Sequence, residues 1–386
     1  MSGDGSDGSR QPDDERSPGN LELFFDLVFV FAMSQVTQLM LSHVSWLGFG
    51  RGVLALLAVW WAWERYTWLR NAFGTNDVRH TSVMIVAMAA MLVAATATPT
   101  AFGSGALVFG LALFVVRLIH VVKLLAGASG EALDTRTAAR RMAPAFVAAP
   151  ALIVAAAFVD SPYRELLWVA AACIDYSVPL VTSIGGFRVV PSYFVERHGS
   201  IVIIALGEAI VELGTGGKDI QKPGVIACLV LGVLISATLW WTYFGLTSGA
   251  EQRLRHADGT ERALLARDAY SYLHLLLVAG IVFFAVGAHA SVAQFDAPLK
   301  TLPALALTGG VALFYLGDVA YRWRDHHQLT VDRLITGAAC LLVLPLAVHI
   351  PAVLTLVVLG AIGALRLSWE LWRRPRVGPA IAGKIR

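Results

Sequence analysis

ERHGSIVIIALGEAIVELG, residues 196–214, is an apolar stretch of nearly membrane-crossing length with two glutamates set inside it. At a helical rise of about 1.5 Å per residue, Glu208 lies about 18 Å beyond the boundary acid Glu196, in a hydrocarbon core about 30 Å thick. A carboxylate at that depth costs roughly 2.5–3.5 kcal/mol on insertion scales, so it faces a bundle interior or a wet cavity and marks a pathway. Glu212 follows one turn later on the same face. Two carboxylates that close hold one proton between them, as a proton relay requires, whereas a Glu212 nearer the outer surface is simply ionised.

The composition around this stretch has the same character. The 386 residues are 57% hydrophobic and only 15% charged, with a mean hydropathy of +0.66, far from soluble usage with its roughly 25% of charged residues. The sequence predicts an all-α polytopic membrane bundle of about twelve transmembrane helices, near 21–42, 48–69, 80–98, 103–124, 142–160, 163–185, 197–214, 222–246, 269–291, 302–321, 330–349 and 351–372. With both termini in the cytoplasm, this arrangement leaves only Arg51, Arg164, Lys218, Lys222 and Lys300 of the 30 basic residues outside. Dropping one helix destroys that asymmetry, so the positive-inside rule supports an even count and a multi-pass protein of the bacterial cytoplasmic (inner) membrane. The net charge of +3 bears on topology and gives no reason to expect nucleic acid.

Residues 1–20 are rich in Gly, Ser, Asp and Pro and read as a disordered cytoplasmic tail, and 373–386 as a basic one. No cleavable signal peptide is visible, so the first apolar run acts as an uncleaved anchor. Cys173, Cys228 and Cys340 are too scattered for a metal cage or disulfide framework and read as buried, inert thiols. Trp60, Trp61, Trp63 and Trp68 form either an interfacial belt or a packed aromatic face. The segment 248–268 is either a short surface helix or a solvated linker.

The tryptophans also expose a repeat. LAVWWAW at 57–63 lies over ATLWWTY at 237–243, VFAMSQ at 30–35 over IIALGE at 203–208, LALF at 111–114 over VALF at 311–314, and VDSP at 159–162 over VHIP at 348–351. Four matches in one order predict two six-helix repeats, 21–186 and 187–372, inserted in the same orientation. Parallel repeats of this kind are frequent in transporters, with the site near the midplane between the halves. Gln35 then stands opposite Glu208.

Further acids and histidines fill out the candidate sites. Asp175 falls in mid-span just before Pro179, where a proline frees a backbone carbonyl and can kink the helix; a structural hydrogen bond to a neighbouring helix is the alternative. Glu208, Gln35, Asp175 and Glu212 form the expected substrate or proton pathway. Glu22 and Asp26 share one face of the first helix, where capping is the other explanation. The helix arrangement brings Glu64, His80 and Arg117, and Glu196, Arg197, His198, His274 and Asp318, to the same membrane face as a cytoplasmic-side polar network. Snorkelling accounts for Arg117 and Arg197 equally well. The sequence holds no HExxH, Walker loop, GxSxG or CxxC to indicate an enzyme. It assigns no catalytic residue, metal or cofactor.

LELFFDLVFVFA at 21–32 and ERHGSIVIIALGEAI at 196–210, each opening one half, resemble the bacterial low-temperature-requirement protein A family. The matching positions are Glu22, Phe24, Phe25, Asp26, Glu196, Arg197, His198, Gly207 and Glu208. The resemblance implies a multi-pass bacterial membrane protein linked to growth at low temperature, without a defined substrate. Two functions fit the residues. One is a secondary transporter or channel for protons or a small solute, with Glu208 and Gln35 at its centre. The other is a sensor or a lipid- or cofactor-binding membrane protein whose buried acids hold helices together.

Overall fold

The structure is a computed structural model that describes residues 17–73, 78–184, 186–217, 219–245 and 250–373. Most of the N-terminal tail and all but one residue of the basic C-terminal tail lie outside the described residues. The described residues form helices and no strand: α1 Asn20–Ser42, α2 Trp46–Phe73, α3 Val78–Ala97, α4 Ala106–Ala128, α5 Leu133–Ala155, α6 Tyr163–Val181, α7 Pro191–Gly216, α8 Pro223–Phe244, α9 Ala250–His256, α10 Gly259–Leu265, α11 His274–Ala293, α12 Thr301–His326, α13 Val331–Leu342, α14 Leu344–Ala347 and α15 Ala352–Arg373. A π-helical segment, Ala266–Leu273, leads into α11.

Ten of the described helical stretches are long and apolar enough to cross a membrane. Two of the twelve expected spans fall short, for different reasons. α6 has 19 residues but carries Arg164, Glu165 and Asp175. The stretch at 330–349 breaks after Leu342, where Pro345 enters α14; proline has no N–H to continue the ladder and its ring crowds the preceding turn. The 12 residues of α13 span only about 18 Å.

α1 and α7 pack on one another. Their N-terminal ends meet through Asp26 and Arg197, and their C-terminal ends through Ser34, Gln38 and Glu212, so the two helices run parallel. Around α1 the chain packs α1 on α2 and α3, α3 on α4, α4 on α5, α5 on α6, and α2 on α4 and α6. Around α7 it packs α7 on α8 and α11, α11 on α12, α12 on α13, α13 on α15, and α8 on α12 and α15.

The tightest of these crossings joins α11 and α12. A Cβ built on Gly287 would lie 2.4 Å from the backbone of Leu307, and one on Gly310 would lie 2.4 Å from the Phe284 nitrogen. Small residues let helix backbones approach where lipid tails offer no competing hydrophobic drive, so either glycine is needed for this packing.

Trp60, Trp61 and Trp63 are at most 1% exposed, which makes them a packed face and not a belt. Trp68 is half-buried and gives its indole N–H to Ser271. The segment after α8 is folded: Asp258 caps α10 by accepting from the Glu261 N–H at 2.8 Å, and Leu254 and Leu265 are buried. Of the three thiols, Cys228 and Cys340 are buried, but Cys173 is exposed on α6. An apolar segment on the outside of a bundle turns such residues to lipid as readily as to protein.

Candidate functional site

The ionisable residues of α1 and α7 divide into two groups along the seam between these helices. At the N-terminal ends, Glu22 accepts from Arg70 Nε at 2.8 Å and from the Gly19 N–H at 2.8 Å, so it caps α1 and forms an ion pair at once. Asp26 takes Arg197 Nη1 at 2.5 Å and Trp63 Nε1 at 2.7 Å, and Arg197 also reaches the Glu22 carbonyl at 2.9 Å. All four charged groups are buried. Both oxygens of each acid are bonded, which offsets part of the cost of taking charges out of water, while Arg197 Nε has no partner among the described residues.

Beside them, Glu64 contacts His198 Nε2 at 3.2 Å and accepts from Ser271 Oγ. His198 Nδ1 lies 2.9 Å from the Phe194 carbonyl. A carbonyl can only accept, so Nδ1 is the donor there and Nε2 is the ring nitrogen that faces Glu64. The His198 ring meets His274 edge-on, with centroids 5.1 Å apart. His274 sits 2.8 Å from the Ala269 carbonyl through Nδ1 and 2.9 Å from the Tyr243 hydroxyl through Nε2, which makes it a satisfied neutral imidazole that accepts from the tyrosine.

Toward the C-terminal ends the pattern changes. Glu212 is 2% exposed and accepts from Ser34 at 3.0 Å, Gln38 at 3.0 Å and Thr215 at 3.2 Å, with His289 at 3.3 Å. Glu208 is 3% exposed, and neither of its oxygens has a hydrogen-bond partner among the described residues. The two acids therefore differ in kind, where the sequence alone suggested a pair sharing one proton. Gln35 is half-buried and makes no hydrogen bond among the described residues; across the seam Gln38, three residues on, supplies the amide.

Several expected members lie elsewhere. Asp175 bonds Arg117 where α6 meets α2 and α4, and its carbonyl takes Arg65 Nη2 at 3.2 Å, so Asp175 and Arg117 form a separate site and not part of the seam. Asp318 pairs with Arg322 and Arg333, beside the Thr242 carbonyl that both arginines also reach at 3.1 Å. Glu196 is exposed on α7, outside the network. A surface-facing acid one position before a buried arginine follows from the 100° step of the helix. The side chain of His80, in the first turn of α3, lies outside the described ones.

Sequence reasoning missed Arg70, Ser271, Ser34, Gln38 and His289. Arg70 counts toward topology alone, and Ser271, Ser34 and Gln38 carry no charge that would mark them as anomalies in lipid. It also missed a cavity of about 50 Å³, room for a few waters, lined by residues that include Trp61, Glu64, Trp68, Phe187 and Ser271. This cavity reaches the Glu64 side of the network; Glu208 does not line it. Among the described residues no cluster of His, Cys, Asp or Glu is grouped as a metal site.

Comparison with known proteins places these residues in context. The model of the family described as bacterial low temperature requirement A protein (LtrA) matches residues 18–367, a range that holds every acid and histidine of the seam. The chain is 30% identical over 312 residues to "Uncharacterized protein RA0937" of Rhizobium meliloti (strain 1021), covering 77% of this chain and 75% of that protein.

Proposed function

This chain belongs to the bacterial low temperature requirement A family, and we propose that it is a proton-linked secondary transporter or channel whose pathway follows the seam between α1 and α7. The observation that carries the reading is Glu208: a buried carboxyl without a partner among the described residues, one turn before the Glu212 that bonds α1. An ionised carboxylate there is uncompensated and costs several kcal/mol, so the group holds a proton, or a cation or water must come to it. Glu212 with His289 beyond it, and the Glu64–His198 pair toward the start of α7, add groups able to pass a proton.

A parallel repeat supports the same reading. We take 21–186 and 187–372 as the two halves of a twelve-helix bundle, because each neighbour pairing within α1–α6 has its counterpart among α7, α8, α11, α12, α13 and α15. The parallel course of α1 and α7 is what same-orientation insertion requires. We place both termini in the cytoplasm of a bacterial inner membrane, from the distribution of arginine and lysine.

The test is Glu208→Gln, reconstituted in proteoliposomes that trap a pH-sensitive dye. Proton flux driven by an imposed gradient should be lost while the thermal midpoint stays within a few degrees of the unaltered protein. Normal flux in that variant sinks the assignment. The cavity beside Glu64 favours a second reading, a ligand-binding membrane protein whose buried acids are structural; under it no flux is seen in either protein.

A further inference from the structure

The turn between α4 and α5 carries a second cleft, remote in sequence from the seam. Small side chains, AGASG at 126–130, end α4, and Ser129 turns its hydroxyl back to the Ala126 carbonyl at 2.6 Å. Beside them lies a cleft of about 290 Å³, against about 50 Å³ for the cavity next to Glu64. Leu125, Ala128, Ser129, Arg136 and Arg140 line it, and none of these is acidic. Arg136 and Arg140 stand four residues apart on α5, so they share a face and lean back over the turn. Arg136 is half-buried and Arg140 exposed. Among the described residues neither side chain makes a hydrogen bond or an ion pair. The whole turn, residues 123–141, holds Lys123, Arg136, Arg140 and Arg141 against Glu131 and Asp134, which leaves it positive.

The place of this cleft in the fold decides what can reach it. α4 and α5 are both long and apolar enough to cross a membrane, and they pack on one another. Their joining turn therefore sits where the chain leaves the hydrocarbon. Along α4, Leu111, Val115, Leu118, Val122 and Leu125 are each at least 37% exposed, and steps of four and three put them on one stripe. That stripe runs for about 21 Å, more than one leaflet of a core about 30 Å thick. It ends at Leu125, which is also a wall of the cleft.

Two guanidinium groups without carboxylate partners are suited to phosphate oxygens, which they grip through paired N–H donors. An exposed aliphatic stripe leading to them suits an acyl chain. A phospholipid joins the two chemistries in one molecule. The positive balance of the turn repels a quaternary ammonium, so a choline headgroup is disfavoured and a headgroup of net negative charge is favoured; basic pockets between membrane helices recognise anionic lipids in this way.

We propose that the α4–α5 cleft binds an anionic phospholipid of the surrounding bilayer, with its phosphodiester on Arg136 and Arg140 and one acyl chain along Leu118, Val122 and Leu125. The site stands apart from the seam and holds whether or not the protein conducts protons.

The experiment places a bimane fluorophore on the stripe, through Val122→Cys in a full-length Cys173→Ser chain, and reconstitutes it in phosphatidylcholine vesicles. Quenching is compared between a minor share of dibrominated phosphatidylglycerol and the same share of dibrominated phosphatidylcholine. Stronger quenching by phosphatidylglycerol is expected, and Arg136→Gln or Arg140→Gln should each lower its relative affinity about fivefold, as about 1 kcal/mol per basic residue near an anionic headgroup implies. Soluble glycerophosphoglycerol in excess should leave the quenching unchanged. Equal quenching by the two lipids, a preference kept when both arginines are replaced, or relief by the soluble headgroup overturns the proposal. Should the arginine variants fail to fold, the two lipids and the soluble headgroup in the chain with both arginines intact decide alone.

Discussion

The two ends of the α1–α7 seam treat the same chemistry in opposite ways. At the N-terminal end each buried carboxylate is saturated: Glu22 by Arg70 and the Gly19 N–H, Asp26 by Arg197 and Trp63. Farther along, Glu212 is held by neutral side chains and His289, and Glu208 by nothing. Burial alone therefore does not identify a functional acid. A buried acid with every lone pair occupied locks helices together, whereas one left unpaired contributes nothing evident to the fold and stays free for protons or cations.

The largest effect that could break this comparison is at Arg197. Arg197→Met leaves Asp26 buried with only the Trp63 N–H, and loss of one partner from a buried pair costs about 3–5 kcal/mol. The thermal midpoint in detergent should fall sharply, and Asp26→Leu in the same chain should restore much of it. A midpoint unchanged by Arg197→Met would show that the saturated end is not the lock. A smaller loss is expected from Glu212→Leu, which strands the Ser34 and Gln38 side chains at about 1–3 kcal/mol for groups left unsatisfied. The smallest effect on stability belongs to Glu208→Leu. Replacing an unsatisfied buried carboxyl by an apolar side chain is neutral or stabilising by about 1 kcal/mol. A fall in midpoint as large as that of Arg197→Met would mean that Glu208 has a structural partner, and the contrast between the ends would be gone.

A second comparison runs between the halves. In the first, an arginine on α4 pairs with an aspartate on α6, Arg117 with Asp175. In the second, the helix in the place of α4 supplies the aspartate, Asp318, and the arginines come from α12 itself and α13. Trp60 and Trp61 are buried, but Trp240, in the place of Trp60, is 44% exposed. The two proposed halves share an order of packing and differ in what fills it, and apart from Phe187, Arg267 and Ser271 the walls of the aromatic cavity come from the first.

Much of this molecule was legible in the sequence. The apolar runs located the helices, because a backbone in lipid must satisfy its own hydrogen bonds and helices do so within one segment. Ten of the twelve expected spans have the length and hydropathy of a crossing; the Pro345 break and the three charges of α6 set the other two apart. The acids of α1 and α7 stood out because charge in an apolar run is costly wherever it points. Their roles did not stand out. Glu196 and Arg197 are adjacent in sequence, yet one faces outward and the other pairs with Asp26; Gln35 was expected at the seam, and Gln38 is the amide that bonds there.

By itself the sequence determined the class of fold, the positions of the helices and which side chains would be expensive to bury, since these depend on transfer from water to an apolar phase and on the local period of the helix. Tertiary structure alone decided which of those costs is compensated. Partnership depends on which helix lies alongside and at what rotation, and a shift of one residue turns a side chain by 100°. Glu208 and Asp26 are both carboxylic acids and almost equally buried; only the neighbours brought by folding separate an acid that holds helices together from one without a partner among the described residues.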